Sequence, residues 1–592
     1  MIATAFHYTQ HGGSGCHGPS PAWDSLLHCL DTEASLAWYL EDRPHSNESS
    51  DISIAPGPTY NKHMLDIYQK VAAFQTINAM GARIPLPRSL NIEAWERLTL
   101  GIEDKQLVDF LRYGFPLGYE GPPIGFTAQN HSSATNFPRD IDHYIQTELN
   151  AGAIIGPFEV PPFTPWAKCS PLMTRPKKGS EFRRVILDLS YGDGTSVNYY
   201  TPKDSYLGIP TKLQLPSIDN IRDIIKNFNG DCYLYTTDIS RAYRNIPICP
   251  SSYPLLNFSH DGKVYTDISA PFGARWSCLH CQRITDAVRF ILRKRNVTVL
   301  NYLDDFCGIA PNMEEAQQGY EMLISTLAEL GLPEATHKRS PPSRQAQWLG
   351  FKLDMDTGLI TIPTDKIERT IEALTSIKHK SHIPIKHLRS ILGKLLHISQ
   401  CSYPARLFLN RMLATLRATS GNMAYLDAGF HLDLQWFLEY LPGTNGKYLI
   451  EPVLEPDSAI YCLVEGTSVQ ACRNGHFYNK QLPPASQAAN PKQAHRQALN
   501  CLVSIKAWLR DIAHTTVKLH CTDKSVVTAI SSAKGRDQGV LSPVRELWRV
   551  AGVHKINVHV THSTEMVIKQ QLDKACNAKD INEYMFKLQS NL

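Results

Sequence analysis

The sequence predicts a multidomain α+β chain, and three observations carry that prediction. At 592 residues the chain is too long for one hydrophobic core, so three or more domains are expected. Its middle alternates segments of helical apolar spacing with aromatic and β-branched runs that contain carboxylates, as in Cys232–Asp238 and Val297–Ile309. From Ile367 to about residue 440 apolar residues recur at helical intervals, and past Leu449 the order is strand, strand, helix, strand.

Composition narrows the function classes. The chain is 43% hydrophobic and 20% charged, ordinary for a soluble globular protein. A formal net charge of +4 excludes a uniformly basic protein, so a nucleic-acid surface must be a local patch, and Lys177, Lys178, Arg183 and Arg184 supply one. No apolar run approaches the roughly eighteen residues a membrane span needs, and no charged segment followed by an apolar one opens the chain, so an intracellular protein without a membrane partner is expected. The 14 cysteines are scattered, which fits reduced thiols. Cys278-Leu279-His280-Cys281 lacks a second ligand pair at zinc-finger spacing and reads as one helix with thiols three apart. Cys16-His17 and His28-Cys29 are poor metal sites for a related reason, since adjacent ligands in a flexible tail rarely share an ion.

Taken in order, residues 1 to about 55 are rich in His, Ser, Pro and Gly with little periodicity, and are expected to be disordered or loosely packed. Helical spacing over Met64 to Ile77 and Ile92 to Leu111 predicts short helices in an N-terminal extension. A helix begins near Phe137-Pro138 and stops at Ala151-Gly152. Pro271-Phe272-Gly273 opens a helix through Ile284, Val288 and Ile291, and Met313 to Leu330 reads as an amphipathic helix ended by Gly331.

The chemistry centres on Asn301-Tyr302-Leu303-Asp304-Asp305-Phe306. Strand-like runs on both sides place the acid pair at the tip of a β-hairpin, and Asp238 ends another strand-like run. An isolated Asp-Asp is ordinary turn chemistry. A third acid at a second strand end changes that reading, because three carboxylates can hold two Mg²⁺ ions that keep positions open for substrate phosphates.

These stretches resemble motifs A and C of a reverse transcriptase palm. Ser170-Pro171-Leu172, Pro176-Lys177-Lys178, Phe182 through Ser190 and Ser196-Val197-Asn198 are similar to DIRS-type retrotransposons, which pair a reverse transcriptase with an RNase H-like domain; the resemblance spans roughly residues 125 to 580. It implies a right-hand polymerase of fingers, palm and thumb followed by an RNase H-like α/β domain. The domains would be an extension over 1–125, fingers and palm over 126–362, a helical thumb over 363–445 and the RNase H-like domain over 446–592.

The resemblance also implies roles. Asp238, Asp304 and Asp305 would be the catalytic ligands of two Mg²⁺ ions, with Mn²⁺ the alternative. Arg184 would contact the triphosphate with Lys177 or Lys178 beside it, Tyr243 would exclude the ribose 2′-hydroxyl, Phe272 and Gly273 would line the nucleotide site, and Lys338 would belong to the following motif. Trp348, Gly350 and Phe351 would form the primer grip, although Trp348 and Phe351 read equally well as core aromatics. Lys378, His379 and Lys380 would sit between thumb helices that track duplex phosphates. The expected partners are an RNA template, a DNA or RNA primer and deoxynucleoside triphosphates. An RNA-copying RNA polymerase shares the palm, and Tyr243 argues against it. The remaining alternative is a captured, non-catalytic nucleic-acid-binding protein.

Asn474-Gly475-His476-Phe477-Tyr478 resembles the end of the family's first hairpin, and with that anchor the resemblance implies acids at Leu463, Gln497, Thr522 and Asp573, of which only Asp573 is one. Asp457 and Asp523 lie off position or off face, and Glu465 is the best substitute. The expectation is a domain that does not cut RNA and persists for packing or for holding a duplex.

Overall fold

A computed structural model describes residue 86 and residues 88–577, apart from 162–165, 178, 193, 403, 442, 444, 450–458, 482–491, 533–534 and 536. The expectations for residues 1–85, with the helix over 64–77 and both Cys-His pairs, and those for Lys178 and Asp457, lie outside the described residues. The described residues divide into two compact units, one ending at Thr357 and the other beginning at Gly358.

In the first unit, α1 (Ile92–Leu98) and α2 (Leu107–Tyr113), which precede the boundary expected at residue 125, are part of the packed body. The reason is burial. Trp95 is fully buried with its Nε1 donating to the Leu330 carbonyl at 3.0 Å, and Arg283 grips Asp104 with two hydrogen bonds of 2.6 and 2.7 Å. Phe115 pairs by backbone hydrogen bonds with Pro247 and Cys249.

Next comes α3 (Pro138–Asn150), with proline in its first turn, where no amide donor is needed, and with Ile141, Ile145 and Glu148 on its buried face. Strands β1 (Ile154–Phe158), β5 (Asn257–His260) and β6 (Lys263–Asp267) form an antiparallel sheet with β6 between the other two. The basic hairpin is β2 (Leu172–Arg175) and β3 (Arg184–Leu187), in a register that sets Arg175 opposite Arg184. Helix α4 (Ile218–Asn227) starts at a capping box of Ser217 and Asn220 and buries Ile218, Ile221 and Ile225.

The acid-bearing sheet has the order β7 (Val299–Tyr302), β8 (Asp305–Ala310), β4 (Tyr233–Asp238), β9 (Ser340–Ser343), antiparallel throughout. Helices α5 (Ser277–Lys294) and α6 (Met313–Glu329) pack on it, and α6 is capped by Asn312, which accepts from the Glu315 amide at 2.9 Å. Gly308 on β8 and Gly319 on α6 are required here, since a Cβ at either position would stand within 2.5 Å of the buried Tyr235 ring or hydroxyl. The hairpin β10 (Gln345–Trp348) and β11 (Phe351–Asp354) turns through Leu349 and Gly350, both with positive φ (49° and 76°), the turn geometry that suits strand twist.

The second unit opens with α7 (Thr364–Thr375), α8 (Ile385–Ile398), α9 (Ala405–Ala418) and α10 (Ala428–Tyr440), matching the helical periodicity, with Asp427 capping α10. A small strand pair, His382–Pro384 with Met423–Tyr425, lies among them, a feature that helical spacing does not signal. A five-stranded sheet then combines β12 (Ala459–Glu465), β13 (Ser468–Arg473), β14 (His476–Gln481), β15 (Thr516–Cys521) and β16 (Asn557–His562) in the order β14-β13-β12-β15-β16. The first three strands are antiparallel and the last two run parallel to β12. Helices α11 (Gln493–Ala507), α12 (Lys524–Ser532), α13 (Gln538–Val553) and α14 (Glu565–Asn577) connect and cover the sheet. Sequence spacing yields the first two strands, α11 and β15; β14, β16 and α14 extend that order. In this unit α13 packs on α9 and α10, and the Arg545 guanidinium donates to the Leu407 carbonyl at 3.1 Å.

Candidate active site

The three palm acids meet because strand register puts them together. Asp305 opens β8 and stands directly opposite Asp238, the last residue of β4, while Asp304 occupies the turn between β7 and β8. The backbone carbonyl of Asp304 accepts from the Ile239 amide at 3.1 Å, tying the turn to the end of β4. Leu303 holds a left-handed conformation, φ 52°, that a leucine adopts only under constraint. The constraint is Gln282 on α5: its Oε1 accepts from the Leu303 amide at 2.9 Å, and its Nε2 donates to the Asn301 carbonyl at 3.3 Å and to Asp286 at 2.9 Å. Sequence reading passed over Gln282. Its only signal was a polar residue among Leu279, Ile284 and Val288 on a buried helix face.

Although the acid pair sits at a hairpin tip, the site is largely buried. Asp238 is 2% and Asp305 9% exposed, and only Asp304 is half-buried. Burial pushes the Asp304 carboxyl up to about 7, against the pull of the nearby Lys338 ammonium. Its Oδ1 is buried without a hydrogen-bond partner. Lys338 Nζ donates to Asp238 Oδ2 at 3.1 Å. Among the described residues no three His, Cys, Asp or Glu side chains are grouped so as to hold a metal ion, so the acids are not a closed cluster as they stand, and Cys278 and Cys281 are free thiols on one helix. The donor chemistry still fits a hard divalent cation: the set is all carboxylate oxygen, with the buried Asp304 Oδ1 left unsatisfied.

Two of the other expected nucleotide contacts, Tyr243 and Arg184, converge on the Phe272 ring. Tyr243 lies in a 3-10 turn over Ala242–Asn245, 7% exposed, with its hydroxyl 3.3 Å from Cys278 Sγ and its ring edge-on to Phe272 at 5.1 Å. The Arg184 guanidinium stands 5.8 Å from the centre of the same Phe272 ring. Lys177 is half-buried at the start of the loop between β2 and β3. Gly273 has φ 110°, and a Cβ there would come 2.6 Å from the Leu187 carbonyl oxygen, so glycine lets this segment approach β3. Asn198 locks that approach by donating to the Gly273 carbonyl at 2.7 Å and accepting from the Arg275 amide at 3.0 Å.

Trp348 and Phe351 are each 3% exposed, so their rings belong to the core and the Leu349-Gly350 turn is what their hairpin offers. Lys378 and Lys380 are exposed after α7, as a solvated basic loop would be.

The second expected site has the geometry of an edge without its acids. Cys462 pairs with Cys521 across β12 and β15, so the next positions along the two strands are Leu463 and Thr522. Leu463 is 1% exposed and packs with Cys472, Ile568, Leu572 and Ala575. Gln497 is fully buried and donates to the Cys462 carbonyl at 3.0 Å; Asn500, which sequence reading missed, donates to the Leu463 and Gln470 carbonyls at 2.9 Å. Asp573 is exposed on α14, and its neighbour Leu572 is the residue packed on Leu463. The substitutes are engaged elsewhere. Asp523 caps α12 by accepting from the Ser525 and Val526 amides, and Glu465 pairs with Lys569 at 2.7 Å, which holds its carboxyl below the usual range.

Residues 176–353 match the family model of reverse transcriptase (RNA-dependent DNA polymerase). The chain carries a reverse transcriptase domain. Among curated relatives it is 23% identical over 335 residues to the retrovirus-related Pol polyprotein from transposon 297 of Drosophila melanogaster, covering 55% of this chain and 28% of that one. It is 26% identical over 190 residues to Protein P of duck hepatitis B virus (strain United States/DHBV-16), covering 31% and 21%. The chain thus spans between about a fifth and three tenths of these relatives' lengths. Among solved structures it is similar to the foamy viral protease-reverse transcriptase in complex with RNA/DNA hybrid, at 13% identity and TM-score 0.45, covering 93% of this chain and 64% of that one.

Proposed function

We propose that this chain is an RNA-directed DNA polymerase of a retrotransposon, of the DIRS type, adding deoxynucleotides to a primer 3′-hydroxyl on an RNA template. The observation that carries the reading is the register of Asp305 against Asp238 with Asp304 in the adjoining turn, inside the matched domain. When bound there, two Mg²⁺ ions would activate the primer hydroxyl and neutralise charge on the triphosphate. Asp238, Asp304 and Asp305 would hold them.

The chain's own residues supply the rest. Gln282 keeps the acid turn in its strained shape, Lys338 balances the buried charge of Asp238, and Tyr243 against Phe272 forms a wall beneath the sugar. Arg184, with Lys177 or Lys178, would grip the phosphates.

The sheet order and mixed strand directions of residues 459–577 support an RNase H-like domain. The apolar packing of Leu463 on α14, where an acid is needed, supports the absence of RNA cleavage. Primer extension on an RNA template, with deoxy- or ribonucleotides, tests the polymerase reading. Extension with deoxynucleotides alone is expected; no extension with Mg²⁺ or Mn²⁺ would overturn it. An RNA–DNA hybrid incubated with the same protein tests the second reading, and cleavage that disappears in Asp573→Asn would overturn that one.

A further inference from the structure

The turn carrying Tyr243 is held by a residue the polymerase mechanism does not use. Arg244, next in sequence, is 8% exposed, and its guanidinium reaches four acceptors on separate parts of the fold. Its Nε donates to Glu148 Oε2 on α3 at 2.8 Å, and its NH2 group donates to Asp267 Oδ1 at the end of β6 at 2.5 Å. Longer bonds of 3.4 Å run to the backbone carbonyls of Ala270 and Ala153. Arg241, at the left-handed residue that opens the turn (φ 51°), donates to the same Glu148 oxygen at 2.7 Å.

Two cations and two carboxylates thus form a charge-balanced network in which the Glu148, Arg244 and Asp267 side chains are each at most 9% exposed. Its position gives it reach. Ala270 lies two residues before Phe272, whose ring packs edge-on against Tyr243. One guanidinium therefore anchors both the turn bearing the Tyr243 ring and the segment bearing its neighbour. A planar donor fork in such a network fixes direction as well as charge, which a lysine would not. Telling a 2′-hydroxyl from a hydrogen depends on wall position at the scale of a single atom, so a small relaxation of the turn is felt in selectivity before it is felt in overall rate.

We propose that Arg244, with Glu148 and Asp267, is a positioning residue that sets sugar discrimination by immobilising Tyr243, an inference that rests on the reading of Tyr243 as the wall beneath the sugar. The test is single-nucleotide primer extension on an RNA template, comparing kcat/KM for a deoxynucleotide with that for the matching ribonucleotide. Glu148→Gln and Asp267→Asn are nearly isosteric and remove one charge each. Both are expected to lower the deoxy-over-ribo ratio about tenfold while lowering deoxynucleotide kcat/KM less. The ratio is measured within one protein sample, so partial loss of folded enzyme cancels, and a purely structural role would lower the unfolding temperature without moving it.

Tyr243→Ala separates the two layers. If it relaxes selectivity and both charge variants keep the wild-type ratio, the positioning role is overturned and the wall stands. If Tyr243→Ala itself leaves the ratio unchanged, the wall reading fails and this inference fails with it.

Discussion

The acid-bearing sheet of the first unit and the five-stranded sheet of the second gather side chains in the same way, at strand ends brought level by register. In the first, Asp238 and Asp305 face each other and Asp304 sits in a turn that Gln282 holds in a strained shape. In the second, Leu463 and Thr522 stand at the corresponding edge, and the space is filled by Ile568, Leu572 and Ala575 of α14. The same backbone arrangement thus carries carboxylates in one sheet and apolar and neutral polar residues in the other. A strand edge positions whatever residue it carries, and an apolar residue there is absorbed into the core, whereas carboxylates remain under electrostatic strain that a cation can relieve. The Asp304 carboxyl, pushed up by burial, makes the first a poised edge, whereas the packing of Leu463 makes the second an apolar one.

The largest expected effect breaks the poised edge. Asp238→Asn or Asp304→Asn should lower primer extension by about a hundredfold or more, because each removes a charged ligand worth several kcal/mol of transition-state stabilisation. Circular dichroism should show a folded protein. Near-normal extension by either variant would remove the basis for calling this edge catalytic.

The next effect tests the apolar edge from the opposite side. Leu463→Asp places an unpaired carboxylate against Ile568 and Leu572 and should destabilise the protein by about 3 kcal/mol. It should gain no RNA-cleaving activity, since Gln497 and Thr522 remain. Chemical unfolding and a hybrid-cleavage assay measure the two parts; a stable variant that cuts RNA would show that the edge is dormant rather than lost.

Gln282→Ala probes the support beneath the poised edge. It leaves the buried Leu303 amide without its acceptor, at a cost of about 1–3 kcal/mol. Extension should fall about tenfold as the turn relaxes. Should the variant match wild type in both stability and rate, the turn does not depend on this hydrogen bond.

The smallest effect is a shared pH response. His280 in the first unit and His520 in the second are held below the usual histidine range, chiefly by burial, His520 at about 4. A depressed folded value means that the unfolded chain takes up the proton first. Stability is then complete above about 6.5 and declines as the pH falls toward 4. After discounting for its half-exposed ring, His520 should account for about 1 kcal/mol of that decline. His520→Gln should flatten the response of the second unit, and an unchanged unfolding curve between pH 7 and 5 would refute its share.

Some of this could be read directly from the residues. Strand-like runs around Asp238 and Asp304-Asp305 and the helices at α5, α6, α8 and α11 follow from local composition and period, because side-chain alternation and helical spacing are set within a few residues; the assignment of Leu463, Gln497 and Thr522 to acid positions came only from the family resemblance. Gly273 was expected at the nucleotide site by resemblance, and the need for glycine there comes from the nearby Leu187 carbonyl.

Tertiary structure alone decided the rest. The membership of α1 and α2 in the first unit depends on Trp95 meeting Leu330 and on Asp104 meeting Arg283, across 235 and 179 residues of chain. The depth of Asp238, the support from Gln282 and the network joining Glu148, Arg244 and Asp267 arise between elements distant in sequence. Sequence determines which residue types each element presents, and so where charge, aromatic surface or glycine is available. Only folding brings separate elements together, and burial then makes a lone carboxylate strained or a paired guanidinium rigid, because the stakes of both states rise as water is removed.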